Sequence, residues 1–332
     1  MPVTPTGASR RAFLAAGAAL LHGNPSWAAR PNGAFPTRPV RLVVPYSVGI
    51  GPDVVARSVA EQLALLWDQT VLVDNKPGAS GIVAFADVRR TAADGHTLFL
   101  ADSATLAVNP LLHASLPYDP VRDLEPLTLL FRATFVLWVG GASRYRSLVE
   151  LQDVARRAPG SVSYASLGNG HPSQVAVESF AHASGLQLLH VPFKDGGTLF
   201  AAVASGEVDF TAFSINTMAP LMASGRLRPL AVAARERVSS HPSIPTLVEA
   251  GGPPVEMHPW AALMAVAATP APVLAALQQG IGQALASDAV RKRAENAGFE
   301  ITPSSPQAVR ERMQADSAMV LPLIAAGRIA RY

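Results

Sequence analysis

No cysteine occurs anywhere in the 332 residues. Disulfides, thiol catalysis, Cys-ligated zinc and a lipidated N-terminal cysteine are therefore excluded. Charged residues are scarce, at 15%, while apolar residues reach 49%. That balance belongs to a folded globular chain and not to a disordered one. No segment after the N-terminus offers about eighteen consecutive apolar residues free of charges and helix breakers, so no membrane span is read. No run of Lys or Arg occurs either, and nucleic acid is not expected as a partner. The glycine motifs of well-known enzymes are also missing. A phosphate P-loop fails for want of Gly-Lys-Ser/Thr, and a Gly-x-Ser-x-Gly hydrolase elbow is absent. The histidines are scattered, with no His/carboxylate metal cluster and no nucleophile–base pair at a recognisable spacing.

What is present begins with an export signal. "SRRAFLAAGAALLHGNPSWAA" supplies two arginines, a short apolar run from Ala12 to Leu21, and small residues around Trp27. The run is too short to span a bilayer, and the Ser-Arg-Arg start resembles the twin-arginine type of signal. Residues 1–28 are read as this signal. They hold two arginines and no acid, so the formal charge of +3 falls to +1 on their removal. The remaining chain is nearly neutral and is expected outside the cytoplasm, in the periplasm of a diderm bacterium.

From Val40 onward, short apolar runs alternate with helical stretches. "VRLVV" (40–44), "TVLV" (70–73) and "TLFLA" (97–101) read as buried strands. Val55, Val59, Leu63 and Leu66 lie on one face of the helix between the first two. A parallel sheet with right-handed crossovers is expected. A second set of strands follows at 135–139, 162–166, 188–191, 208–213 and 228–234. Strand-like segments at 126–131 and 260–268 are expected to cross between two lobes. The fold class is thus α/β, with two lobes and a cleft between them. Ligands of open α/β sheets sit at the carboxyl ends of strands.

One such end is "VPYSVGIGPDVVAR", Val44 to Arg57. Gly51 is suited to the N-cap and Pro52 to the first helical position, with Asp53 favoured by the helix dipole. Backbone N–H groups from Tyr46 to Gly51 are then left free near a helix N-terminus. They serve an anion, or the glycines serve only a tight turn. A dinucleotide fingerprint fits poorly, because Val54 stands where a third glycine or alanine belongs, although Asp74 lies where a ribose-binding acid would fall.

Taken in order, seven segments carry a family resemblance: "FPTRPVRLVVPYSVGIGPDVVAR", "VLVDNKPGASGIVAFADV", "ADGHTLFLADSATLAVNPLL", "LPYDPVRDLEPLTLL", "VSYASLGNGHPSQVAVESF", "LLHVPFKDGGTLFAAVASGEVDF" and "GRLRPLAVAARERVSSHPSIPTLVEAG". The chain resembles the extracytoplasmic solute receptors of tripartite tricarboxylate transporters, also called Bug receptors. The resemblance covers nearly all of the chain after the signal. It implies a type II periplasmic binding-protein fold that closes like a flytrap on a small organic acid. It also implies membrane transporter subunits as partners, a monomer, no catalysis and no cofactor. One lobe is expected over 35–133 plus 261–332, and the other over 134–260. An exported enzyme using the same cleft, either a dinucleotide-dependent oxidoreductase or a hydrolase, is the alternative.

Carried over residue by residue, the ligand loop of the first lobe is Tyr46, Ser47, Val48, Gly49, Ile50 and Gly51, with Asp53 behind it. Ser103, Ala104 and Thr105 follow the third strand. From the second lobe come Ser166, Gly168, Asn169, Gly170, His171 and Ser173, then Phe193 and Lys194, then Ser214. Three departures stand out. The family loop usually reads Pro-Gly-Gly-Gly-Thr-Asp, whereas Ile50 and Pro52 here restrict the backbone and remove a donor. Many relatives carry an acid at the position of Ser214 that meets a ligand amino group, so Ser214 disfavours an amino acid held in that way and favours a plain carboxylate. His171 stands where relatives often have a small hydroxyl residue; a pH-sensitive contact and a place on the cleft rim are both open. Lys194 is a surface charge or a ligand contact, and Trp67 and Trp260 read as packing ahead of ligand stacking.

Overall fold

Strand β1 (Val40–Val44) buries Val40, Leu42, Val43 and Val44, with only Arg41 half-exposed among them, and that burial explains the hydrophobic run. The computed structural model describes residues 35–332, together with Met1; the signal read over 1–28 otherwise lies outside the described residues. After β1 come helix α1 (Gly51–Trp67), β2 (Val71–Asn75), α2 (Ile82–Val88) and β3 (Thr97–Asp102). A π-helical turn, Ala104–Val108, runs into α3 (Asn109–Leu112), followed by α4 (Pro120–Asp123) and β4 (Leu124–Arg132). The chain then makes β5 (Phe135–Gly140), α5 (Leu148–Arg157), β6 (Ser163–Ser166), α6 (Pro172–Ala183) and β7 (Leu189–Pro192). Next are α7 (Gly196–Ser205), β8 (Phe210–Ser214), α8 (Ile215–Ala223) and β9 (Leu227–Val232). The last part holds β10 (Trp260–Val266), α9 (Ala271–Ala286), α10 (Asp288–Asn296), β11 (Glu300–Ile301) and α11 (Pro306–Ala325).

These strands make two sheets. The first has the order β11-β4-β10-β3-β1-β2, and the second β7-β6-β8-β5-β9. The parallel pairing expected of the first three strands holds, but neither sheet is purely parallel. In the first, β1 runs parallel to β2 and β3, but β10 is antiparallel to both β3 and β4. In the second, β6 is parallel to β7 and β8, while β5 is antiparallel to β8 and β9. The antiparallel strands are those that enter or leave a lobe through the crossings, so their direction is set by the neighbouring lobe.

Each sheet is covered on both faces. Val55, Val59 and Leu63 of α1 are fully buried against β1 and β3. Each contributes about 1.5–3 kcal/mol of hydrophobic stabilisation. Leu66 does not belong to this face: it is exposed, and Trp67 takes the next inward position. Trp67 packs edge-on against Phe35, with ring centres 6.2 Å apart. The second lobe centres on Leu137, Tyr164, Phe180 and Phe210, all fully buried.

Two chain segments connect the lobes and run side by side. The N–H of Ala133 donates to Pro259 O at 2.8 Å, and that of Phe135 donates to Met257 O at 3.0 Å. Helix α11 then spans the junction. Its Val320 and Leu323 pack with Ile329, with Val108 and Leu112 of the first lobe and with Val175 of the second. The tail beyond α11 clips the second lobe through Arg328, whose Nη1 lies 3.1 Å from Glu178 Oε2. Trp260 packs here too, and its Nε1–H donates to the buried Asp316 at 2.7 Å.

Candidate interlobe ligand site

Five loops leave the carboxyl ends of β1, β3, β6, β7 and β8 and meet along the seam between the lobes. Parallel pairing brings β1 and β3 out on one edge of their sheet, and β6, β7 and β8 on one edge of theirs. Contacts across the seam join the two edges. A side chain on Gly170 would strike Leu112, its Cβ lying 2.4 Å from Cδ1, so glycine permits the approach. Asn216 Nδ2–H donates to Glu295 O at 2.7 Å, and Asn169 Nδ2–H to Ala330 O at 2.7 Å.

The first-lobe loop is braced from behind. Asp53 is 1% exposed, and its carboxylate accepts from Gly49 N–H (2.8 Å), Arg57 Nε (3.0 Å) and Asn75 Nδ2 (2.7 Å). Asn75 Nδ2 also lies 2.9 Å from Tyr46 O. Burial pushes the Asp53 carboxyl up, but hydrogen bonds from Arg57, Gly49 and Asn75, with the Arg57 charge, outweigh it and hold it below the usual range. Asp53 therefore shapes the loop, and its oxygens point into the loop's own support. The N-cap is Ile50, one residue before the expected Gly51, and Pro52 sits in the first turn without penalty. Gly49 N–H is not free as expected; the N–H groups of Ser47 and Val48 meet no acceptor among the described residues. Ser47, Val48, Gly49 and Ile50 are all exposed. Gly51 is tucked under Phe299, whose ring leaves no room for a Cβ.

After β3, Ser103, Ala104 and Thr105 are buried. Thr105 serves its neighbour Asp102: its N–H and its Oγ1 each lie 2.8 Å from Asp102 Oδ1. Asp102 Oδ2 accepts from the Tyr46 hydroxyl at 2.5 Å. Burial, then the Asp102 charge, then this hydrogen bond push the Tyr46 phenol well above its ordinary pKa.

In the second lobe, Ser166 and Ser173 are fully buried and organise the loop between them. Ser166 Oγ accepts from Gly168 N–H and lies 2.6 Å from His190 Nε2. Ser173 Oγ accepts from Leu167 N–H and lies 2.8 Å from His171 Nδ1. Gly168 and Gly170 adopt positive φ, which lets the loop turn twice in three residues. His171 is the N-cap of α6, and its Nδ1 accepts from Ser173 N–H at 3.2 Å. Burial lowers the His171 pKa to about 4 against the opposing charge of Asp102 on the other lobe. Asn169 is turned to the C-terminal tail by its bond to Ala330. Ser214 is buried, 2.8 Å from Thr217 Oγ1, and backs onto Gly298. Phe193 is half-buried beside Phe213, its N–H held by Ser166 O at 2.8 Å, and Lys194 is exposed.

Two sets of residues were missed from sequence. Asp102 was passed over although it is the acid that closes an otherwise apolar strand. Asn216, Phe299 and the 328–332 tail left no signal, because their partners are remote in the chain. Asp74, weighed as a ribose-binding acid, instead pairs with Arg41 at 2.9 Å on the sheet edge.

Two α/β lobes, two hydrogen-bonded crossings and a seam lined by strand-end loops define a periplasmic binding protein. Comparison with known proteins agrees. The family model described as tripartite tricarboxylate transporter family receptor matches residues 55–328. The chain belongs to that family of solute receptors. It is 32% identical over 257 residues to Protein BugT of Bordetella pertussis, covering 77% of this chain and 79% of that one. A Rhodopseudomonas palustris protein, Rpa4515, solved with adipate, superposes with a TM-score of 0.80 at 29% identity, covering 90% of this chain and all of that one. MatC from the same organism, solved with bound malate, gives 0.75 at 28% identity, covering 86% and 98%.

Proposed function

We propose that the chain is exported, loses residues 1–28, and acts in the periplasm as a receptor that captures a small organic acid without turning it over. The lobes, 35–133 plus 261–332 and 134–260, pivot at the paired crossings and close on the ligand. Closure completes hydrogen bonds from both sides, so the ligand favours the closed state by its differential affinity. The closed receptor then delivers the acid to membrane subunits of a tripartite transporter.

The observation that carries this reading is the convergence of strand-end loops from both lobes on one seam. There the N–H groups of Ser47 and Val48 meet no acceptor among the described residues, and the Asp102 charge acts on His171 from the other lobe. Such donors suit a carboxylate, and the adipate and malate complexes of the two structural relatives support the same ligand class. No helix among the described residues is long and apolar enough to cross a membrane.

A thermal-shift titration of residues 29–332 with mono-, di- and tricarboxylates, amino acids and nicotinamide cofactors tests it. A ligand that binds only the folded state raises Tm in proportion to RT ln(1 + [L]/Kd). A saturable shift with acids and no turnover is expected. A shift from a cofactor alone, or consumption of the acid, overturns the receptor reading.

A further inference from the structure

We propose that Asp102 sets the specificity of this cleft, and that its ligand is an acid that also carries an ammonium group. The inference rests on the receptor reading above and narrows its ligand class. Asp102 is half-buried at the end of β3, where the first lobe meets the second. Its hydrogen-bond donors are Tyr46 OH and the N–H and hydroxyl of Thr105. All are neutral, and neutral donors orient a carboxylate without cancelling its charge. No cation pairs with Asp102 among the described residues. Arg57, on α1 behind the loop, is committed to Asp53 and Asn75. Oδ1 takes two donors and Oδ2 only one, which leaves Oδ2 able to accept another.

Across the seam stands the complementary group. His171 Nδ1 accepts a backbone N–H, so the proton of the neutral ring sits on Nε2. Nε2 meets no acceptor among the described residues. The second lobe thus offers a donor at His171, and the first lobe offers two things: N–H groups of Ser47 and Val48 that meet no acceptor among the described residues, and the Asp102 carboxylate, held by neutral donors alone. A plain dicarboxylate would bring its second charge against Asp102. An amino acid places its carboxylate on the donors and its ammonium on Oδ2. Holding Thr105 N–H does not by itself call for a charge, since Asn or Ser caps a helix as well as Asp.

Calorimetric titration with matched pairs decides the matter: aspartate and succinate, glutamate and glutarate, leucine and 4-methylpentanoate, phenylalanine and 3-phenylpropanoate. On the wild-type chain, residues 29–332, the aminated member of the pair that binds should be at least tenfold tighter. Asp102→Asn keeps the Thr105 contacts and removes the charge, so the preference should collapse or reverse while the melting profile stays cooperative. Should that variant fail to fold, the wild-type pairs still decide. An unaminated acid that binds as tightly as its partner, or a preference unchanged in Asp102→Asn, overturns the inference and leaves the receptor intact. Silence of every acid overturns the receptor reading and this inference with it.

Discussion

Asp53→Ala removes the brace behind the ligand loop. The wild-type carboxylate is 1% exposed and receives three hydrogen bonds, one of them from a guanidinium. Breaking a fully buried charge pair costs about 3–5 kcal/mol. Here the partners recover in part. Arg57 is 41% exposed and keeps Asn75 Oδ1 at 2.8 Å, Asn75 keeps Tyr46 O, and Gly49 lies on an exposed loop where water can replace the acid. The favourable charge at the start of α1 is also lost, at about 0.5 kcal/mol. The net loss is about 3 kcal/mol, or about 6 °C in Tm at about 2 °C per kcal/mol for a chain of this size. Asp53→Asn keeps the shape and one carbonyl acceptor and should lose about 1 kcal/mol. Ligand affinity should fall in Asp53→Ala by about tenfold, because the freed loop must be ordered on binding. Thermal melting with and without ligand reads both effects. A Tm within 1 °C of wild type together with unchanged affinity would refute the claim that this network shapes the loop.

Other outcomes follow from the same contacts. Gly170→Ala forces a methyl against Leu112 and strains a residue at φ +73, so the lobes should be held apart; ligand affinity drops several-fold and solution scattering shows a more open molecule. Arg328→Ala leaves the buried Glu178 with Tyr164 OH as its remaining partner, costing about 3 kcal/mol, and Glu178→Gln in the same chain should restore part of it in a double-mutant cycle of melting temperatures. His171 has a folded pKa of about 4, below the ordinary value, so the unfolded chain binds its proton first as pH falls. Stability should therefore drop between about pH 6.5 and 4 by at most about 3 kcal/mol, and less in His171→Gln, when unfolding is followed by denaturant titration across that range. Gly81→Ala puts a Cβ 2.2 Å from Thr105 Oγ1 and should destabilise by about 2 kcal/mol while disturbing Asp102, visible as a lower Tm and weaker ligand binding.

Much of the fold was legible because buried strands and amphipathic helices leave periodic traces. The apolar runs at 40–44 and 135–139 became β1 and β5 nearly to the residue. The turn at 104–112 escaped notice: "ATLAVNPLL" is as apolar as the strand before it, and Pro110 argues against a helix interior, although here it falls in the first turn of α3. The crossing at 260–268 was legible, but nothing local in "WAALMAVAA" gives the direction of β10, which runs antiparallel to both its neighbours. Along the seam, the resemblance pointed to loops that the structure brings together, but not to the contacts their side chains make. Thr105, Ser166, Ser173 and Asp53 are spent on their own loops. Asn169 is spent on a tail 161 residues further along the chain. Asp102 gives no signal in sequence because an acid ending a strand is common, and its partners Tyr46 and Thr105 are identified only by the fold.

The place of β10 in the first sheet has a consequence for the order in which the molecule can be made. The five strands of the second sheet lie in one uninterrupted stretch, Phe135–Val232, and can pair as they leave the ribosome. The first sheet cannot. Its β3 and β4 are joined only through β10, which is synthesised after the whole second lobe. Until then both strands hold open edges, the surfaces on which chains mispair. A nascent chain stopped before Trp260 therefore carries a complete second lobe and an unfinished first one, although four of the first sheet's six strands are already made.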